Sequence, residues 1–194
     1  MTVEQFVMAY GVEQDRVRAL LPAGYESLRP VLRINAEIRD GERVYVELNA
    51  PAAHGGKRGW LNIAHWEGAA QGLKFERDGK KVVITAPFLS LTYEETGAKG
   101  GCPAEKDHDG TFFPDETPFF RPREEITANR AFCDCAFSWR FHAGDARGAS
   151  AGRTLPAFYE PPKTEYARLP LCAEHAAAIP CRQVLGAYVV RFER

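Results

Sequence analysis

Val31-Leu32-Arg33-Ile34-Asn35-Ala36-Glu37-Ile38-Arg39-Asp40-Gly41-Glu42-Arg43-Val44-Tyr45-Val46-Glu47-Leu48-Asn49 reads as two strands joined by a tight turn. Aspartate followed by glycine supplies the positive-φ backbone that hairpins need. Two registers compete. A two-residue loop sets Arg39 against Glu42 and puts Glu47 on one face with Ile34 and Ala36. A three-residue loop with a bulge sets Arg39 against Arg43 and separates the faces. Leu32, Ile34, Ala36, Ile38, Val44, Val46 and Leu48 then share one side. Arg33, Asn35, Glu37, Tyr45, Glu47 and Asn49 share the other. A slip of one residue exchanges the two faces, so burial favours the three-residue loop.

The neighbouring segments extend this pattern. Phe6 to Tyr10 is a short apolar strand, and Glu13 to Leu21 a helix with acids in its first turn and Pro22 closing it. Gly59 to Trp66 alternates Trp60, Asn62, Ala64 and Trp66 against Leu61, Ile63 and His65. Leu73 to Arg77 and Lys81 to Ala86 flank a second turn, Asp78-Gly79, and Phe88 to Tyr93 continues as a strand. Arg130 to His142 sets Ala131, Cys133, Cys135, Phe137, Trp139 and Phe141 on one face, and Gln183 to Phe192 is the last strand. Many strands, few helices and hairpin connections predict an antiparallel barrel or sandwich in a single domain over residues 1–194. Glu94 to Arg130 and Ala143 to Arg182 read as long irregular stretches, the second with a short helix around Cys172 to Ala178. Loops of this length serve as lids, as caps on a barrel's ends, or as contacts in a homo-oligomer.

Composition sets the outer bounds. Of 194 residues, 45% are hydrophobic, which supplies a core and excludes a disordered chain. The balance of 25 Lys+Arg against 26 Asp+Glu argues against a domain that grips nucleic acid by bulk charge. No run approaches the ~20 apolar residues of a membrane span. Met1 to Gly11 lacks the basic and apolar regions of a signal peptide. Five cysteines, an odd number without the spacing of a disulfide framework, predict a soluble cytoplasmic protein with reduced thiols.

Several motifs bear on chemistry. Gly148-Ala149-Ser150-Ala151-Gly152 matches the nucleophile-elbow pattern but lacks the strand and helix that make it work. Glu105 to Gly110, with Glu116 beyond, imitates a calcium loop, yet Pro114 interrupts it and a solvated acidic turn is the plainer reading. Cys133 and Cys135 lie ~7 Å apart along one strand face. With Cys172 and His175 they could complete a tetrahedral zinc site, against which stands a set of core thiols. A cysteine nucleophile paired with His142 or His175 is a further candidate. On the hairpin's polar face Asn35 opposes Glu47 and Arg33 is its diagonal neighbour. These groups either line a cavity for a small polar ligand or form the solvated outside of an amphipathic sheet.

The run Val17-Arg18-Ala19-Leu20-Leu21-Pro22, then Tyr45-Val46-Glu47, then Gly56-Lys57-Arg58-Gly59-Trp60, resembles the acetoacetate decarboxylase family over roughly the first half of the chain. The resemblance implies a barrel with an internal pocket for a small keto acid or carboxylate, Glu47 as acid/base or orienting group, and no cofactor. In that family a lysine forms a Schiff base with the substrate ketone. Counting from Trp60, the two family lysines fall on Ala64 and His65, and neither can form that adduct. Lys74 does not match the motif. The expected function is therefore an enzyme, or a pocket protein derived from one, without Schiff-base decarboxylation. Glu47 and His65 are its candidate catalytic residues, and Arg33, Asn35, Trp60 and Asn62 its substrate contacts. The competing class is a non-catalytic binder of a small ligand or of structural zinc.

Overall fold

The computed structural model describes residues 1–97, 111–113, 119–120, 131–142 and 173–194. The elements in chain order are β1 (Thr2–Gly11), α1 (Gln14–Leu20), β2 (Glu26–Ser27), β3 (Val31–Arg39), β4 (Arg43–His54), β5 (Lys57–Glu67), β6 (Lys74–Asp78), β7 (Lys81–Ala86), β8 (Leu89–Glu95), β9 (Thr111–Phe113), β10 (Phe119–Phe120), β11 (Ala131–Phe141), α2 (Ala173–Ala177) and β12 (Gln183–Glu193). The strands form one mostly antiparallel sheet in the order β10-β9-β5-β4-β3-β1-β12-β11-β8-β7-β6, with β2 added to β4. Among the described residues no helix is long and apolar enough to cross a membrane.

The opening hairpin takes the three-residue loop. Arg39 pairs with Arg43, Ile38 with Val44 and Asn35 with Glu47. Asp40 and Gly41 both adopt positive φ, 51° and 72°, the backbone that this loop requires. Asp40 also accepts from the Thr2 backbone N–H at 3.0 Å and from Arg43 Nη2 at 2.5 Å. The side chain that tolerates the turn thereby ties it to β1.

The sheet wraps round its apolar face. Phe6, Met8 and Tyr10 of β1 join Leu32, Ile34, Ala36, Val46 and Leu48 in one core with Ile84, Leu89, Leu91 and Tyr93. Strands β1 and β8 are three steps apart, about 14 Å in a flat sheet. The Phe6 and Tyr93 rings nevertheless approach to 4.7 Å. Six steps separate β5 from β8, yet Trp66 stacks on Phe88 at 3.7 Å. A flat sheet would hold those elements about 29 Å apart. The described ladder is open in its hydrogen bonding, ending in β6 and β10, while its side chains close one face on itself.

Two expectations are revised. The stretch from Glu94 to Arg130 holds regular structure: Glu94 and Glu95 end β8, and both aromatic pairs lie on short strands, with β9 adding parallel to β5. Three- and two-residue strands are too short to show a period. Phe113 is fully buried in the core and meets the Tyr25 ring edge-on at 5.4 Å. In β5 the simple alternation breaks at Ile63, where the ladder slips so that Leu48 pairs with Ala64 but Asn49 with Asn62. The remaining parts of the two long stretches, the acidic turn at Glu105 to Gly110 with Glu116, and the Gly148 to Gly152 motif lie outside the described residues.

Candidate functional site

The outer face of β1, β3, β4 and β5 carries the polar rows that the hairpin register creates. One row runs Val7, Asn35, Glu47, His65, and the next runs Ala9, Arg33, Asn49, Asn62. Opposite the apolar core, such a face commonly meets water. Here it does not. Glu47 and Asn49 are 0% exposed, Asn35 2% and Asn62 5%. The sheet is buried on both sides at this point, one apolar and one polar.

Glu47 sits at the centre. Asn35 Nδ2 donates to its Oε1 at 2.8 Å, and the Tyr45 hydroxyl donates to its Oε2 at 2.6 Å. Arg33 Nη2 lies 4.0 Å from Oε1 and donates to Asn49 Oδ1 at 3.4 Å. The Arg33 guanidinium lies over the Trp60 ring at 3.8 Å, with Arg29 over the same ring at 5.2 Å. A planar cation held against an indole keeps its charge at a fixed place. Each Glu47 oxygen thus accepts a hydrogen bond from a neighbouring side chain.

The irregularity at Ile63 completes the cluster. Strict alternation separates Asn62 from His65, on opposite faces. The slipped register turns Trp60, Asn62 and His65 to the polar side and leaves Leu61, Ala64 and Trp66 with the core. Bulges characteristically re-aim a side chain in this way. Asn62 Nδ2 lies 3.3 Å from His65 Nδ1, and the His65 ring stacks at 6.1 Å on Tyr45. His65 is exposed, so it stands at the rim while Glu47 lies beneath. Tyr45 and Asn49 belong to the site although they are absent from the expected contacts. Their signal was their place on the polar face, two residues either side of Glu47.

A second buried carboxylate adjoins this one. Glu37, 1% exposed, accepts from Arg39 Nε at 2.7 Å, from Arg194 at 3.1 and 3.2 Å and from Gln5 at 3.3 Å. Burial pushes its carboxyl up, but the hydrogen bonds and charges of Arg194 and Arg39 outweigh burial and hold it below its ordinary value of 4.5. A carboxyl lowered by folding stabilises the fold above its unfolded value and loses that contribution as pH falls through the lowered one. Glu37→Gln is therefore expected to flatten the fall in stability below pH 4.5, read from urea midpoints between pH 3 and 6. An unchanged acid slope assigns the loss to other carboxylates.

The sulfur-based readings fare differently. Cys133 and Cys135 pack against the core with Phe137, Trp139 and Phe141, the face that alternation predicts. Burial, with the neighbouring Cys133 next, pushes the Cys135 thiol up to about 12, which disfavours a thiolate ligand or nucleophile. Among the described residues no three His, Cys, Asp or Glu side chains gather as a metal site. Cys172 lies outside the described residues, and His175 stands on α2. His142 pairs through Nε2 with Ser90 Oγ at 2.7 Å.

No family model matches the chain, and no curated protein does. Solved structures do. The chain superposes on acetoacetate decarboxylase from Legionella pneumophila with a TM-score of 0.59 at 11% identity, covering 98% of this chain and 82% of that one. The chain has the acetoacetate decarboxylase-like fold. An acetoacetate decarboxylase-like enzyme from Sphingomonas wittichii RW1 gives a TM-score of 0.54 at 11% identity, covering 98% and 87%. The enduracididine biosynthesis enzyme MppR complexed with pyruvate gives 0.54 at 13%, covering 98% and 84%. At these identities the likeness is one of fold. It extends over nearly the whole chain, beyond the first half in which the sequence motifs lie.

Proposed function

We propose that this acetoacetate decarboxylase-like protein binds a small carboxylate or keto acid at the polar face around Glu47 and acts on it without a Schiff base. The observation that carries the reading is Glu47 itself, fully buried and hydrogen-bonded through both oxygens, with a guanidinium 4.0 Å away. Burying so many polar groups on a strand face costs free energy that a merely structural surface avoids. Arg33 supplies the positive charge for a ligand carboxylate, Glu47 holds Asn35 and Tyr45 in place, and Trp60 forms a flat wall. His65, at the rim, is the candidate general base. The wrapped sheet behaves as a barrel whose seam is closed by side chains such as Trp66 and Phe88.

The lysine positions support the absence of Schiff-base chemistry. A nucleophilic amine needs desolvation or a neighbouring cation. Lys57, Lys74, Lys80 and Lys81 are all exposed, and Lys74 points away from the core that Leu73 and Phe75 enter. Lys99, Lys106 and Lys163 lie outside the described residues. The test is intact-mass analysis after incubation with acetoacetate or pyruvate and borohydride, run beside a thermal-shift screen of small carboxylates. Expected are a thermal shift that Glu47→Gln removes and no covalent mass gain. A trapped adduct on any lysine overturns the absence of a Schiff base, and a screen without any shift overturns the ligand site.

A non-catalytic binder is the second reading, favoured by the engagement of both Glu47 oxygens. Proton NMR of the bound ligand separates the two: conversion over hours marks an enzyme, an unchanged spectrum a binder.

A further inference from the structure

Side-chain amides declare their orientation by what they touch. Asn35 turns its Nδ2 to the Glu47 carboxylate, which fixes its Oδ1 on the other side. Asn49 presents its Oδ1 to Arg33, which fixes its Nδ2. Reversing either amide would set a carbonyl against a carboxylate or an amino group against a guanidinium. Asn35 Oδ1 is thus an assigned acceptor and Asn49 Nδ2 an assigned donor. Both are buried and, among the described residues, without a hydrogen-bond partner, and so is Asn62 Oδ1. Each residue is at least nine-tenths buried.

Their spacing suits one small molecule. Asn35 pairs with Glu47, and Asn49 lies two residues further along β4, a diagonal neighbour. Diagonal positions across an antiparallel pair are ~7–8 Å apart. Asn62 is the cross-strand partner of Asn49. Two buried amide oxygens and one amide nitrogen therefore sit at neighbouring positions on the face that carries Arg33.

We infer that the ligand is a hydroxy acid, a carboxylate bearing a free hydroxyl, in preference to the matching keto acid. The inference rests on the reading of this face as a ligand site and names the class of molecule it takes. Arg33 and Asn49 Nδ2 receive the carboxylate. The hydroxyl donates to Asn35 Oδ1 or Asn62 Oδ1. A keto acid brings acceptors alone, so it leaves both amide oxygens buried without a donor. A site built to hydrogen-bond a hydroxyl rejects the analogue that lacks it far more strongly than an apolar pocket rejects a missing methylene.

Isothermal titration of the full chain with matched pairs tests this: lactate against pyruvate, and 3-hydroxybutyrate against acetoacetate. The expected result is that the hydroxy member of at least one pair binds about tenfold tighter or more. Asn62→Ala, which removes one acceptor without touching the Glu47 hydrogen bonds, is expected to narrow that ratio. Equal affinity, or preference for the keto member, overturns the hydroxyl assignment and leaves the ligand site standing. Tighter binding of alanine or 3-aminobutyrate than of the hydroxy acids also overturns it, in favour of an ammonium donor. Failure of every member to bind overturns the site reading, and with it this inference.

Discussion

Glu47→Ala is expected to lower the stability of the protein by about 3–5 kcal/mol, the range found when one partner is removed from a buried charged network. The cost does not come from the carboxylate's own packing alone. Asn35 Nδ2 and the Tyr45 hydroxyl lose their acceptor, and Arg33 loses the charge 4.0 Å away. Each buried donor left without a partner costs about 1–3 kcal/mol. Glu47→Gln keeps the shape and one acceptor but turns an amino group toward Asn35 or Tyr45, so a smaller loss of about 1.5–3 kcal/mol is expected. Urea midpoints of the two variants against the unsubstituted chain measure both. A double-mutant cycle of Glu47→Ala with Asn35→Ala should show a coupling of about 0.5–3 kcal/mol, because the two share one hydrogen bond. If Glu47→Ala falls within 1 kcal/mol of the parent, the carboxylate is solvated in solution and the buried cluster does not exist as described.

How far the site was legible in the sequence follows from which features leave a local mark. The hairpin did: Asp40-Gly41 names its turn, and the alternation from Leu32 to Leu48 makes one register bury every apolar side chain. That register alone brought Asn35 and Glu47 opposite each other. The burial of the polar face left no mark, because Asn35, Glu37, Glu47 and Asn49 alternate as they would on a solvated surface. Part of the cover over that face comes from the far end of the chain, where Arg194 reaches Glu37. The irregularity at Ile63 was also silent. Leu61-Asn62-Ile63-Ala64 contains no glycine or proline, so nothing local says that Asn62 joins His65. The strands β9 and β10 were too short for a period, and their aromatic pairs read equally well as plugs. Helix α1 was legible because Val17 and Leu20 share its buried side and Pro22 stops it.

Trp66→Ala is expected to produce the largest effect from the core, about 3–5 kcal/mol for removal of a buried aromatic side chain. Trp66 is 3% exposed and Phe88, which it meets face to face at 3.7 Å, is also 3% exposed. Their contact joins β5 to the residue just before β8, and β5 and β8 are six strand steps apart in the sheet order. Nearby, Gly72 adopts φ +76°, and a Cβ there would lie 2.8 Å from Pro87 Cγ, so the Gly72 turn is already packed against the Pro87 ring. Loss of the indole leaves a cavity there, and the cost grows with how little the surroundings relax to fill it. Phe88→Ala alone should cost a similar amount, and the pair together less than the sum, since each removes the same stacking. The consequence reaches the opposite face. Strand β5 presents Trp66 inward and His65 outward, and Asn62 owes its outward turn to the slip at Ile63 between them. If that slip is held by core packing at Trp66, then Trp66→Ala weakens ligand binding at Asn62 and His65 as well as stability. Thermal shift and titration on the same variant separate the two effects. Full affinity in a destabilised Trp66→Ala protein would show that the hydrogen bonds of the polar face hold the slip by themselves.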